Sequence, residues 1–331
     1  RGEGMSEGMV TVVRLGELTK HTNADSLDVT RVWDYPVIVR RGDFAPGDLA
    51  VYVPVDSVVP EDDPRWAFLA GHLRIQAKRL RGIFSMGLLV KAEPDWTEGQ
   101  DVTDVLRVTR YEPCVSTVHG AKMQTENEPD GSTMPIYTDI EGLRRWSDVL
   151  QPGEPVVVTE KIHGANGRFC WHDGRLWVGS HKQIKKQDPA NMWWQIADRY
   201  ALADKLAAHP DVAIFGEVYG QVQDLRYGHD NERPFSFVLF DAMNLATRRY
   251  LDWLDFIALW AELGVPRIPV LAKEGWSDGL RALAEGKTAV HGADHVREGI
   301  VVKPVVERWH DKLGRVVLKQ HGQSFLLRKG S

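Results

Sequence analysis

The sequence predicts an α+β protein with a small N-terminal β-barrel and a larger C-terminal domain that mixes sheets with helices. Three observations support this prediction. At 331 residues the chain is long for one domain, and two domains are the better expectation. Short β-branched runs fill the first third of the sequence, and a polar, turn-rich stretch follows them. Strand-like and helical patterns then alternate to the end.

The N-terminal module is predicted to span residues 1–110. Turn signals such as Pro46-Gly47-Asp48 separate its short runs of strand-forming residues, at 10–13, 27–32, 37–39 and 49–53. About five short strands in this length suit a small barrel, and an OB-fold is one candidate. The segment at 21–27 also resembles the opening of tRNA-binding-type OB domains.

Residues 111–134 are rich in polar and turn-forming residues, which predicts a linker or surface loop before a C-terminal domain at 135–331. In that domain, buried-strand patterns occur at 156–159, 212–218, 235–240 and 299–303. A hairpin is predicted around His172-Asp173-Gly174. Helical spacing predicts helices over 190–208 and over about 249–263, the second ending at Gly264 and Pro266.

Composition excludes several classes of protein. The formal net charge is -5, so nucleic acid could be bound only through local basic patches. Two cysteines cannot form a disulfide framework or a four-cysteine zinc site, and they suggest free thiols in a reducing cytoplasm. The sequence has neither an apolar signal core nor an apolar run of the roughly 20 residues that a membrane span needs.

Lys161 is the sharpest candidate for chemistry. An apolar strand pattern runs directly into Glu160-Lys161, and a glycine-containing turn follows at Gly164 and Gly167. Glycines let backbone N–H groups approach a phosphate closely. Burial and cationic neighbours can deprotonate a lysine amine and make it nucleophilic. A lysine at the end of a strand can equally be a solvated surface residue, so the motif needs support from elsewhere in the chain.

That support comes from the order of several motifs. The segment at 159–167 resembles the nucleotidyltransferase signature of ATP-dependent ligases, and its Glu-Lys-Ile-His-Gly-x-Asn form is similar to that of template-dependent RNA ligases. Four later segments resemble the remaining family motifs in the same order, at 215–220, 237–241, 298–304 and 317–319. Each match alone is weak, but five in order favour this superfamily.

The resemblance implies a C-terminal domain of antiparallel sheets and a role for each motif residue. Lys161 would carry AMP, Glu217 and Glu298 would hold Mg²⁺ or Mn²⁺, and Lys303 and Lys319 would face phosphate. In the ATP site, Glu160 would accept a hydrogen bond from the adenine amino group and Phe240 would stack on the purine. Further ATP-site candidates are Ile162, His163, Gly164, Asn166, Lys182 and Val301. For His163 and Asn166, a purely structural hydrogen bond remains an alternative.

Two positions depart from the family pattern. Relatives usually have an arginine after the first hairpin, where this chain has Lys182, and a lysine cannot make an arginine's bidentate contact. Many relatives also have a second lysine two residues after Lys319, where this chain has His321. Either residue could substitute for the usual one, and His321 could also be irrelevant to the chemistry.

The N-terminal module predicts a polynucleotide substrate. Four basic residues cluster among apolar ones and could project from one side of the barrel towards a phosphate backbone: Arg74, Lys78, Arg79 and Arg81. A β module before the nucleotidyltransferase motifs, with few residues after Lys319, resembles the Deinococcus-type RNA ligases. The resemblance implies sealing of 3′-OH and 5′-phosphate ends at nicks in RNA or RNA-containing duplexes. An ATP-dependent DNA ligase, a GTP-using capping enzyme and a non-catalytic RNA-binding protein remain alternatives.

Overall fold

The computed structural model describes residues 9–111, 127–128 and 134–328. The predicted linker at 111–134 therefore lies mostly outside the described residues. Within it, Asn127–Glu128 forms a strand that pairs with Ile184–Lys185, so this part of the predicted linker adds to a sheet of the C-terminal region.

The N-terminal region consists of short strands connected by tight turns. They form two three-stranded sheets, ordered β1-β5-β9 and β2-β3-β4, and two strand pairs, β10-β6 and β7-β8. A 3₁₀ helix spans Pro64–Leu69. The strands are β1 (Thr11–Arg14), β2 (Thr19–Lys20), β3 (Leu27–Val32), β4 (Tyr35–Arg40), β5 (Leu49–Val53), β6 (Ser57–Val58), β7 (Lys78–Leu80), β8 (Ile83–Ser85), β9 (Leu88–Lys91) and β10 (Thr109–Arg110).

Two larger sheets form the C-terminal region, one of seven strands ordered β11-β16-β15-β14-β17-β18-β19 and one of five ordered β12-β24-β21-β13-β20. The pair β12-β24 is parallel and the other pairs are antiparallel. β22 pairs with β23. The strands are β11 (Asn127–Glu128), β12 (Glu141–Gly142), β13 (Pro155–Lys161), β14 (Ala165–His172), β15 (Arg175–Gly179), β16 (Ile184–Lys185), β17 (Val212–Gly220), β18 (Phe235–Asn244), β19 (Arg249–Tyr250), β20 (Val270–Gly275), β21 (Gly299–Pro304), β22 (Trp309–His310), β23 (Gly314–Arg315) and β24 (Leu318–His321).

Four α-helices and a second 3₁₀ helix, Asp278–Ala284, accompany these sheets in the described part of the chain: α1 (Met192–Arg199), α2 (Leu202–Ala207), α3 (Trp253–Leu263) and α4 (Gln323–Leu326). The single helix predicted over 190–208 is wrong, because Ala201 adopts a left-handed φ of 50° and divides it into α1 and α2. Asn191 caps α1 by accepting from Trp193 and Trp194 N–H groups. None of the helices in the described ranges has the length and apolar composition needed to cross a membrane.

The sequence pattern explains where the cores lie. The alternating apolar residues of β1, β5 and β9 contribute to two buried clusters in the N-terminal region. Helices α1 to α3 cover the seven-stranded sheet, and the helix Asp278–Ala284 packs on the five-stranded sheet. A further apolar cluster joins Phe84 and Met86 of the N-terminal region to Ile162, Tyr219 and Phe325 of the C-terminal region. The two regions therefore share a buried interface beside the end of β13.

Candidate active site

Strand pairing brings Lys161 and Glu298 together. Lys161 is the last residue of β13 and pairs with Gly299, the first residue of β21, so Glu298 lies beside it just before that strand. Lys161 Nζ donates a hydrogen bond of 2.7 Å to Glu298 Oε1. The carboxyl of Glu217, on β17, completes this group, which combines residues from two sheets.

These charges set the protonation of the group. Burial opposes the charge on Lys161, but attraction to Glu298 and Glu217 outweighs it and raises the lysine pKa above its ordinary value. Burial likewise opposes ionisation of Glu298, yet Lys161 and the two neighbouring histidines hold its pKa well below the usual range. Burial raises the pKa of Glu217 to about 8, despite the opposing effect of Lys161. The structure thus holds one ionised carboxylate, one ammonium and one carboxyl that is readily neutral at pH 7.

Two histidines orient Glu298. His163 Nδ1 lies 3.3 Å from Glu298 Oε2, and its Nε2 lies 2.8 Å from Asp224 Oδ1. His321 Nε2 lies 3.3 Å from Glu298 Oε1. Burial lowers the pKa of His321, with partial compensation from Glu298. The residue that stands where relatives have a second lysine therefore contacts the carboxylate that pairs with Lys161.

Three cavities meet at Lys161. The inner cavity, of about 200 Å³, contains Glu160, Asn166 and Phe240 in its wall. The outer cavity, also of about 200 Å³, contains His163, Gly164 and Glu298. The third, which we call the cleft, has a volume of about 550 Å³ and lies between the two regions of the molecule. Glu217 borders the inner and outer cavities, and Lys319 borders the inner cavity and the cleft.

The inner cavity has the chemistry of a nucleoside site. Ile162, Phe240 and Val301 supply apolar surface, and the half-buried ring of Phe240 lies edge-on to Tyr137 at a centroid distance of 5.0 Å. Asn166 Oδ1 is buried and accepts no hydrogen bond from the described residues. An apolar wall with a few convergent polar groups is typical of a cofactor or small-molecule site.

Glu160 is fully buried in the same wall. Its carboxylate accepts the Thr288 hydroxyl at 2.5 Å on Oε1 and the Ala289 N–H at 2.6 Å on Oε2. A carboxylate has about four lone-pair sites, so two donors leave it able to accept another hydrogen bond. Thr288 was not among the residues that the motifs indicated, because it lies in a loop without a family signature.

The back of the inner cavity is a buried ion cluster. The sequence predicts that Lys303 faces phosphate, but its Nζ lies 2.9 Å from Asp241 Oδ1 and 3.1 Å from Glu307 Oε1. Arg315 donates to the same two carboxylates, at 2.7 and 2.5 Å, and the Tyr137 hydroxyl donates to Asp241 at 2.8 Å. Lys303 is thus held by carboxylates because its neighbours on the folded chain are acidic, which its motif alone could not reveal.

Lys319 and Lys182 have different environments. Lys319 lies on β24, and burial together with the charges of Lys161 and Arg110 lowers its pKa to about 8. An anion in the inner cavity or the cleft would restore its full charge. Lys182 is exposed and does not line the inner cavity, where His181 lies instead. The structure therefore gives no support to Lys182 as a replacement for the family's arginine.

Gly164 is constrained by packing. The sequence suggests that this glycine lets N–H groups approach a phosphate, but its N–H donates to the Glu217 carboxyl. A Cβ at this position would overlap the carbonyl oxygen of Val218. The glycine therefore holds the segment after Lys161 tightly against β17, which fixes Glu217 beside the lysine.

The four basic residues predicted to bind nucleic acid do not share one face. Arg74 lines the outer cavity, pairs with Asp56 at 2.6 Å and lies 3.6 Å above the Tyr111 ring. Lys78 and Arg79 are consecutive on the exposed strand β7, so their side chains point to opposite sides of it. Arg81 is exposed in the following turn, with φ of 43°. Only Arg74 of this group lies beside the candidate active site.

The carboxylates beside Lys161 would suit a divalent cation whose remaining ligands are water and substrate phosphates. Among the described residues, no group of three or more histidine, cysteine, aspartate or glutamate side chains forms a ready metal site. Glu217 and Glu298 nevertheless flank Lys161 with two hard oxygen donors. Mg²⁺ commonly takes one or two carboxylates and completes its shell with water and substrate phosphates.

Two protein-family models match parts of this chain. A family model described as RNA ligase matches residues 154–321, which is half of the chain and includes Lys161, Glu217, Glu298 and Lys319. The chain belongs to the RNA ligase family. A second model, described as an OB-fold domain, matches residues 9–92 and confirms the barrel type expected for the N-terminal region. No curated protein sequence matches the chain significantly.

Solved structures of Naegleria gruberi RNA ligase share the fold. A lysine-to-alanine variant with ATP and manganese superposes with a TM-score of 0.83 at 22% identity, covering 96% of this chain and 98% of that one. The Naegleria RNA ligase with pyrophosphate gives a TM-score of 0.83 at 23% identity, covering 96% and 97% of the two chains. The match extends over both regions, which confirms an OB-type barrel followed by a ligase-type domain of antiparallel sheets.

Proposed function

We propose that this chain is an ATP-dependent RNA ligase that joins 3′-OH and 5′-phosphate ends. The observation that carries the proposal is the position of Lys161, which lies between a nucleoside-like cavity and a cleft lined with cations. Membership of the RNA ligase family supports the reaction class. Naegleria RNA ligase structures that contain ATP or AMP with manganese support the choice of nucleotide and metal.

The resemblance to ATP-dependent ligases implies three nucleotidyl transfers, to which the site residues can be assigned. In the first, deprotonated Lys161 Nζ attacks the α-phosphorus of ATP; a P–N bond forms and pyrophosphate leaves. In the second, a 5′-phosphate oxygen of RNA attacks the same phosphorus, and the lysine amine leaves. In the third, the 3′-hydroxyl loses its proton and attacks the 5′-phosphorus, which releases AMP. Each step requires in-line placement and neutralisation of phosphate charge.

Named residues supply these requirements. Lys319, buried between the inner cavity and the cleft, is placed to neutralise the α-phosphate. A divalent cation bound by Glu217 and Glu298 would add positive charge there, and it would compete with Lys161 for those carboxylates. This competition weakens the attraction that keeps the ammonium protonated, and so favours the nucleophilic amine.

Adenine selection is assigned to Glu160. Thr288 and Ala289 hold its carboxylate in the wall of the inner cavity, where it can accept from the adenine amino group. Guanine presents a carbonyl oxygen at that position, which the carboxylate would repel. Phe240 provides the ring against which the purine packs, and Asn166 Oδ1 provides an acceptor for a ribose hydroxyl.

We retain the division into an OB-fold module at 1–110, a connecting segment at 111–134 and an adenylyltransferase domain at 135–331. The buried free thiol of Cys170 suits a cytoplasmic enzyme.

The substrate is proposed to be a nicked duplex with a ribonucleotide at the 3′-OH side. The test compares sealing of matched nicks whose 3′-OH nucleotide is ribose or deoxyribose, on a common template. Preferential sealing of the ribose nick is expected, and efficient sealing of an all-DNA nick would contradict the RNA assignment in favour of a DNA ligase.

A further inference from the structure

The cleft contains an aromatic and cationic wall to which the three chemical steps assign no role. It borders Lys161 and Lys319 on one side. The N-terminal region contributes three aromatic side chains, and the C-terminal region contributes cations from the segment that follows β12. These residues are Trp33, Tyr35, Tyr52, Arg144 and Arg145.

Trp33 has an unusual backbone for its residue type. It lies in the two-residue turn between β3 and β4 and has φ of 48°. Non-glycine residues other than asparagine and aspartate rarely adopt this region, and for a bulky side chain it is a genuine outlier. Such strain persists where the surrounding structure enforces it, commonly at ligand sites. Trp33 is also 40% exposed, so burial of its ring does not explain the strain.

Neighbouring rings fix the orientation of this tryptophan. Tyr52 lies edge-on to it at 5.6 Å and 89°, and Tyr35 lies edge-on at 6.4 Å and 76°. The Arg145 guanidinium lies 4.5 Å from the Trp33 ring centroid. The two tyrosine rings thus cross the Trp33 ring at a steep angle and a guanidinium lies beside it, and a nucleobase can stack on an exposed aromatic ring next to a guanidinium group.

Docking of the two regions has anchors besides the contact between the indole and Arg145. The adjacent Asp34 makes the connection, because its N–H donates to the Arg144 carbonyl oxygen at 3.0 Å and its carboxylate accepts from Arg281 at 2.5 Å. Arg144 donates back to the Asp34 carbonyl oxygen at 3.2 Å. Tyr35 approaches Gly142 so closely that a Cβ there would overlap its hydroxyl. The two residues that follow Trp33 therefore anchor the turn to the C-terminal region.

We propose that Trp33 stacks on the terminal nucleobase of the RNA strand that carries the 5′-phosphate. This inference rests on the proposed ligase function. The 5′-phosphate must reach AMP on Lys161, so its nucleotide lies within one nucleotide length of that lysine, which is where the cleft begins. The cations Arg110, Arg144, Arg145 and Lys319 line the cleft and, together with Lys161, outnumber its carboxylates, which favours the adjoining phosphates; the carboxylates are Asp56, Asp139 and Glu141. At a free 5′ end, the terminal base has one unstacked face available to Trp33.

The test measures the dissociation constants of fluorescently labelled, 5′-phosphorylated RNA oligonucleotides by anisotropy. Wild type, Trp33→Phe and Trp33→Asn are compared on three RNAs: intact, abasic at the 5′-terminal nucleotide, and abasic at the 3′-terminal nucleotide. Asparagine tolerates left-handed backbone, and this relief offsets part of the loss of the ring contacts with Tyr35, Tyr52 and Arg145, so Trp33→Asn is expected to melt close to the wild-type temperature. This substitution separates loss of stacking from loss of folding.

Trp33→Asn is expected to weaken binding of intact RNA by about 5- to 100-fold, and Trp33→Phe by less. On RNA that is abasic at the 5′ end, the affinity of the wild type is expected to fall by the same factor. The variants are expected to bind this RNA about as weakly as the wild type does. An equal effect of Trp33→Asn on intact and 5′-abasic RNA would overturn the proposal, as would no effect on either. Sensitivity to a missing 3′-terminal base instead would overturn the assignment to the 5′ end.

Transfer of AMP from preloaded enzyme to the same RNAs provides a second readout. The concentration of intact RNA that gives half-maximal transfer is expected to rise in Trp33→Asn by the factor seen in binding. A change in the ATP concentration needed to load Lys161, with RNA affinity unchanged, would contradict the proposal and place adenine in the cleft. If wild type does not load AMP at all, the ligase function fails, whereas the binding comparison still decides whether Trp33 contacts a terminal base.

Discussion

The inner cavity and the cleft both border Lys161, but they are assembled in different ways. The inner cavity takes Glu160, Asn166, Phe240 and Val301 from strands that carry family motifs. The cleft takes Trp33 from a turn in the N-terminal region and Arg145 from a connection in the C-terminal region. A cavity built on paired strands is recognisable from short motifs, whereas a cavity between two regions depends on how those regions dock.

The largest expected effect concerns the ion cluster behind the inner cavity. Asp241→Ala removes the carboxylate that contacts both Lys303 and Arg315, and leaves buried positive charge with less compensation. Breaking a buried ion pair in this way costs about 3–5 kcal/mol. Urea unfolding should show this loss at pH 7. Because Lys303 and Arg315 lower the pKa of Asp241, the difference from wild type should shrink as acid protonates the carboxylate.

The matched control for that variant is Asp255→Ala, which removes an exposed carboxylate from α3. Its free energy of unfolding should lie within about 0.5 kcal/mol of wild type. Similar losses in the two variants would show that the cluster does not stabilise the back of the cavity.

The next largest effect concerns the carboxylate that pairs with Lys161. Glu298→Gln keeps the side-chain volume but removes one of the two carboxylates proposed to hold the divalent cation. Loss of that charge stabilisation should outweigh the easier deprotonation of Lys161, and loss of one such contact reduces rates by about 10²–10³-fold. Single-turnover formation of the enzyme-AMP adduct should show this loss. Glu274→Gln, an exposed change on β20, should leave the rate unchanged.

A smaller effect is expected in the selection of adenine. Thr288→Val keeps the shape of the side chain but removes the hydroxyl that holds Glu160 Oε1. Loss of a hydrogen bond to a charged group should reduce the preference for ATP over GTP by about tenfold or more. Competitive labelling with the two nucleotides measures this preference. An unchanged ratio would show that Glu160 is a structural carboxylate and does not select adenine.

A further effect is a shift of thermal stability with pH. In the folded protein the pKa of Glu217 is about 8, against an ordinary value of 4.5. The unfolded chain therefore releases this proton more readily, and wild-type stability falls as pH rises from about 4.5 to 8. Glu217→Gln does not titrate, so it should melt a few degrees above wild type at pH 7 and level with it at pH 4. Equal melting differences at both pH values would contradict the raised pKa.

The strand patterns predicted β13, β17, β18 and β21, and the motifs indicated several residues that the structure places in the wall of the inner cavity. They could not predict the partners of Lys303, because Glu307 and Arg315 acquire their roles only when β21 and β23 fold against Asp241. Helical periodicity also could not predict the left-handed backbone of Ala201, which separates α1 from α2. The cluster of basic residues at 74–81 suggested one basic face. Because side chains alternate along β7, Lys78 and Arg79 point to opposite sides of the strand.

Nothing in the sequence signalled Trp33 or Thr288. Trp33 occupies a hairpin turn where asparagine or glycine would be expected, so its value to the site is visible only from its φ and its neighbours. Thr288 acts through a single hydrogen bond to a residue 128 positions away. Long-range contacts of this kind leave no periodicity or spacing for a single sequence to display.

The most direct test of the account is intact-mass measurement after incubation with ATP and Mg²⁺ or Mn²⁺, followed by peptide mapping. Wild type should gain the mass of one adenylyl group, and the modified peptide should contain Lys161. The variants Lys161→Ala and Lys161→Arg should gain none, while the exposed control Lys182→Ala should be labelled like wild type. An adduct that persists in Lys161→Ala, or that maps to another residue, would contradict the assignment of Lys161 as the carrier of AMP.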